Sequence, residues 1–149
     1  MLLEIFQISS RIVERDYNFT LEPPNRYLGQ AMVVRNETAP VLDLGEALER
    51  VGGDEDLLKE IGALFLQEYP PAISALRAAV ADRDPKRIEH KAHSLKGSVS
   101  TFGSGVAFEA TLQLELQGRS GDLTEIDSSL ERAELSLTRL CNELRKFIS

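Results

Sequence analysis

The chain's two histidines fall in one run, His90-Lys91-Ala92-His93-Ser94-Leu95-Lys96-Gly97. A neutral imidazole presents a nucleophilic nitrogen near physiological pH. A phosphoryl group carried on it would bring nearly two negative charges, and a nearby ammonium would offset part of them. Lys96 lies three residues after His93, a neighbour across one turn if the run is helical. Gly97 costs a helix roughly 1 kcal/mol relative to alanine. Steric access for a partner's backbone or active-site rim is a sufficient reason for it.

The element that must position these groups is a helix over Pro85 to about Phe102. Its apolar stripe is Ile88, Ala92, Leu95, Val99 and Phe102. At about 100° per residue, His93 lies about 140° from the centre of that stripe and should face solvent. Lys86, His90, Gly97 and Ser100 are expected on the same outward side, with Ser94 beside them. His90 and His93 could begin a metal site with Glu89 or Glu109, but no matched third and fourth ligands follow, so no metal is expected. His90 reads better as a solvated neighbour. Gly103-Ser104-Gly105 resembles half of a phosphate-cradling loop, yet it follows a helix and no Lys-Ser or Lys-Thr pair comes after it. A helix corner explains it better.

Around that helix the apolar periodicity is regular. Leu42 to Val51 is a short helix closed by Gly52-Gly53. Asp54 is the N-cap of a longer one carrying Leu57/Leu58, Ile61, Leu64/Phe65, Tyr69, Ile73, Leu76 and Val80 at three- and four-residue steps. Pro70-Pro71 is expected to kink or break it. Asp84 then caps the histidine helix, with Pro85 at its first position. Val106 to about Gln117 forms the next helix, and Gly118 with Ser120-Gly121-Asp122 makes a corner. Leu123, Ile126, Leu130, Ala133, Leu137, Leu140, Leu144 and Phe147 mark the last, with Cys141 continuing its apolar side. Short connections between such helices imply an all-α, antiparallel up-down four-helix bundle, preceded by a short N-terminal helix. Residues 1–40 form an extra N-terminal segment of undetermined structure, and 41–149 the bundle. Within that segment Leu2 to Val13 could be helical, Glu22 to Arg26 is a turn signal, and Tyr27 to Val34 could be a strand or irregular.

His93-Ser94-Leu95-Lys96-Gly97, with Gly103 beyond it, resembles the signature of histidine-containing phosphotransfer (HPt) domains. Glu68-Tyr69-Pro70 on the preceding helix and Leu114-Glu115 on the following one also fit, and the similarity runs from about Leu42 to Ile148. The resemblance implies a helical bundle that shuttles phosphate to or from a receiver-domain aspartate. It makes His93 the phosphoacceptor, Lys96 the charge partner of the phosphate and Gly97 the docking-access residue. Glu115 matches a position where many members place a polar group near the imidazole. There it would accept a hydrogen bond from Nδ1–H and leave Nε2 free to react. The implied partners are response-regulator receiver domains and an upstream histidine kinase. Mg²⁺ belongs to the receiver, and the chain itself needs no cofactor.

Composition limits the alternatives. A formal net charge of −7 gives no general attraction to nucleic acid or anionic membranes. No stretch approaches the ~20 apolar residues of a membrane helix. The N-terminal run lacks a basic flank and a cleavage site. Cys141 is the only cysteine, so an internal disulfide is impossible and a cytoplasmic setting fits. Without a nucleotide-binding motif, the module is expected to be a phosphocarrier rather than an enzyme, taking nothing from ATP directly. Two other functions fit the same residues. One is a phosphoacceptor domain of a larger hybrid or chemotaxis-type sensor kinase. The other is an adaptor that docks receivers without accepting phosphate.

Overall fold

The computed structural model describes residues 40–149. The expected helix over Leu2–Val13, the turn at Glu22–Arg26 and the Tyr27–Val34 segment lie outside the described residues. Among those residues the chain forms five helices and no strand: α1 (Leu44–Arg50), α2 (Glu55–Ala81), α3 (Pro85–Ser100), α4 (Val106–Ser120) and α5 (Ile126–Ile148).

Three of the helices start on an aspartate that answers a free backbone N–H of the first turn. Asp43 accepts from Glu46 N, Asp54 from Leu57 N and Asp84 from Arg87 N, at 3.0, 3.0 and 3.1 Å. Gly52 and Gly53 end α1 with φ of +70° and +80°, a left-handed conformation that side chains resist.

Each long helix packs on its neighbours in the chain, and α5 closes the ring against α2. Connections of three to five residues turn each helix back on the last, which gives the up-down four-helix bundle. Leu58, Leu76, Ile88, Val99, Leu114, Leu137 and Leu144 are among the side chains sealed inside it. Phe65 binds the layers together, meeting Phe102 edge-on at 5.3 Å and Tyr69 in a stack at 5.9 Å.

Two expected helix boundaries, a break at Pro70-Pro71 and a corner at Gly118, are absent. Pro70 and Pro71 sit inside α2, which runs unbroken from Glu55 to Ala81. The two missing N–H groups cost hydrogen bonds, but Leu58 and Phe65 before them and Ile73 and Leu76 after them are buried in the same core. Packing on both flanks holds the helix continuous. Gly118 is not a corner either, since α4 continues to Ser120 and the chain turns at Gly121, φ +75°. A Cβ on Gly118 would lie 2.5 Å from Glu89 N and 2.8 Å from Pro85 O. Gly118 is thus where the backbones of α3 and α4 touch.

The short α1 is tied to the α3–α4 corner. Asp43 N donates to Phe102 O at 3.3 Å, and Glu46 accepts from Ser104 N at 3.2 Å while pairing with Arg50. Gly103, with φ +122°, makes that corner.

Candidate functional site

On α3, Glu89, His93 and Lys96 follow one another at four- and three-residue steps, which places them along one strip of the helix. On α4, Glu115 and Arg119 are four residues apart and meet that strip. Glu115 is the hub. Its Oε1 lies 3.1 Å from His93 Nδ1 and 2.6 Å from Arg119 Nη2, and its Oε2 lies 2.6 Å from Lys96 Nζ. Arg119 Nε also donates to Glu89 Oε1 at 3.0 Å. The Glu115 side chain is 2% exposed and that of Lys96 11%, whereas the His93 ring is 43% exposed.

A carboxylate this deep needs partners. Burial pushes the Glu115 carboxyl upward, but hydrogen bonds from Lys96 and His93 and their charges outweigh it and hold the group below its ordinary value. Glu115 is therefore ionised and only accepts hydrogen bonds. The shared proton of the His93–Glu115 pair accordingly belongs on Nδ1. In a neutral ring that leaves the lone pair on Nε2, the nitrogen a nucleophile needs.

The family model described as Hpt domain matches residues 60–146, more than half of the chain. The chain belongs to the Hpt domain family. Hpt domains are phosphocarrier modules of two-component signalling rather than enzymes. Sensor protein TorS of Escherichia coli (strain K12) is 30% identical over 107 residues, which are 67% of this chain and 12% of that protein. The chain thus spans a small part of that relative. Histidine-containing phosphotransfer protein B from Pseudomonas aeruginosa PAO1 shares the fold, with a TM-score of 0.66 and 24% identity over 73% of this chain and 95% of its own.

In this Hpt domain the structure brings His93, Lys96 and Glu115 together. His90 and Ser94 are exposed on the same helix, as expected. Gly97 and Ser100 depart from expectation, for both are buried rather than outward-facing. Ser100 Oγ donates to Gly97 O at 2.7 Å, so the hydroxyl meets its own need inside the helix and the residue packs like a small apolar one. Arg119 was not expected at the site, and Glu89 was considered there only as a metal ligand. The four-residue spacing of Glu115 and Arg119 was the available signal, since such pairs share a helix face. Among the described residues no group of three or more His, Cys, Asp or Glu side chains is placed to hold a metal, and no helix is long and apolar enough to cross a membrane.

The charge cluster has a measurable cost. Glu115→Gln keeps the shape but leaves the Lys96 ammonium nearly buried without its anion. We expect a loss of about 3 kcal/mol, the low end for breaking a buried ion pair. The sign with pH follows from the depressed carboxyl. Its stabilisation is complete above the ordinary value of 4.5 and disappears as pH falls through the lower folded value. Urea unfolding of both proteins between neutral pH and pH 3 checks this. Wild type should lose its advantage over Glu115→Gln towards the acid end, and a constant gap would contradict the assignment.

Proposed function

We propose that His93 accepts a phosphoryl group from the aspartate of one response-regulator receiver and surrenders it to another. The observation that carries this reading is the His93–Glu115 contact: Nδ1 is tied to a buried carboxylate while the ring remains open to solvent. Nε2 attacks the phosphorus of the aspartyl phosphate in line. The N–P bond forms as the P–O bond to the aspartate breaks, and the carboxylate leaves with the electron pair. The ring becomes cationic because Nδ1 keeps its proton, and Glu115 stabilises that charge. Reversal uses the same contacts. The receiver supplies Mg²⁺ and most of the stabilisation of the moving charge.

In this reading Lys96 is the charge partner one helical turn from the acceptor, coupled to it through Glu115. Access for the receiver comes from the exposure of the His93 ring. Gly97 contributes as a small packing position one turn away rather than as open surface. Residues 41–149 act as the phosphotransfer unit, since α1 is hydrogen-bonded to the α3–α4 corner. The setting is cytoplasmic, and an upstream histidine kinase charges the first receiver.

The match to a short part of TorS favours a second reading, in which this module is one phosphoacceptor domain of a larger sensor kinase. The intact mass of the native gene product separates the two. The function itself is tested by incubating the protein with a panel of phosphorylated receivers and Mg²⁺. At least one receiver should lose label to this chain within minutes, and ATP alone should label nothing. If no receiver transfers label, the reading is wrong.

A further inference from the structure

Two carboxylates and two cations form a linked set beside the acceptor: Glu89 and Glu115 against Lys96 and Arg119. With His93 neutral the set carries no net charge. A phosphoryl group on Nε2 adds two negative charges against one positive charge on the ring. One of the cations must turn towards it, or the excess stays uncompensated.

The geometry distinguishes the cations. Lys96 is nearly buried and pairs with Glu115 Oε2, an oxygen sealed from solvent. Arg119 is 56% exposed and shares Glu115 Oε1 with His93 Nδ1, so its guanidinium already stands beside the imidazole. Its other bond, from Nε to Glu89, is the one it can release most cheaply. Glu89 is 21% exposed against 2% for Glu115, and water can replace the lost donor.

We propose that Arg119 is the residue that clamps the phosphoryl group, and that Glu89 is a brake that competes with the phosphohistidine for it. Resting on His93 as the acceptor, this assigns Glu89 a positioning role: it sets how firmly the module holds phosphate without touching it. A strong Glu89–Arg119 bond makes the carrier quick to give phosphate up, and a weak one makes it retentive. That is a useful adjustment for a protein that must both load and unload.

The test uses the full chain, charged with phosphoramidate and freed of donor, with the phosphohistidine followed by ³¹P NMR. Exposed charge pairs set the scale, about two- to fivefold. Arg119→Gln should shorten the phosphohistidine lifetime by that factor and shift the phosphorus resonance. Glu89→Gln should lengthen it by a similar factor. In the Arg119→Gln background, Glu89→Gln should have no effect, a non-additivity that general destabilisation would not produce. Equal lifetimes in all four proteins would overturn the brake while leaving His93 as the acceptor. A lengthening by Glu89→Gln that persists without Arg119 would overturn it too. Wild-type protein that forms no phosphohistidine, with phosphoramidate or with any phosphoreceiver, would remove the His93 reading and the brake together.

Discussion

His93→Gln is expected to take up no phosphate from any phosphorylated receiver that labels the wild type, and to do so without unfolding. The loss is complete because an amide nitrogen has no available lone pair, its electrons being delocalised into the carbonyl. Folding survives because the ring is half-exposed and contributes one hydrogen bond, worth about 1 kcal/mol net. Glutamine can still donate to Glu115. His90→Gln supplies the comparison. It sits three residues earlier on the same helix and is exposed, so it shares solvent access with His93. What it lacks is the buried carboxylate that His93 holds on Nδ1. Labelling by a matched receiver, with far-ultraviolet circular dichroism to verify the helices, decides between them. A chain labelled through His90 and indifferent to His93→Gln would contradict the assignment, and so would His93→Gln protein that keeps any acid-labile label.

The parts of this site that sequence made legible are those that one helix encodes alone. The stripe Ile88, Ala92, Leu95, Val99 fixed the orientation of α3, and with it the outward placing of His93, because a 3.6-residue period ties every side chain to its neighbours. All four stripe residues are buried. Gly97 and Ser100 were misplaced because periodicity reads polarity, and neither residue declares itself that way. Glycine has no side chain to classify, and a serine bonded to the carbonyl three residues back is polar in name only.

Contacts between helices were less legible. Glu115 could be brought to His93 through the family resemblance, but its depth and its grip on Lys96 depend on how closely α3 and α4 approach. Nothing in the local pattern of either helix states that distance. The unbroken α2 has the same origin. Two prolines argue locally for a break, and long-range packing of Phe65 and Ile73 on either side overrides them. Arg119 was overlooked because an arginine in the last turn of a helix has an ordinary explanation, attraction to the C-terminal end of the dipole.

Gly118 is the residue in which sequence and packing disagree most, and replacing it should have a large structural effect. On helix propensity alone, Gly118→Ala should stabilise α4 by roughly 1 kcal/mol. The packing term has the opposite sign. The added Cβ would lie 2.5 Å from Glu89 N, 2.8 Å from Pro85 O and 2.9 Å from Glu89 Cα. All three are backbone atoms of the first turns of α3, so no rotamer change relieves the contact and the two helices must separate. Overpacking of a side-chain core costs about 1–3 kcal/mol, and a clash with backbone belongs at or beyond the upper end of that range. Steric repulsion therefore exceeds propensity. Glu89, which meets the new methyl group, and Glu115 and Arg119, which flank it in α4, would be carried apart together. Gly118→Ala should lose about 3 kcal/mol in urea unfolding and slow phosphate transfer to and from His93 by at least tenfold, although it changes none of the charged residues. Gly118→Val should fail to fold. An alanine variant as stable as wild type would show that the α3–α4 contact yields more easily than two packed backbones should.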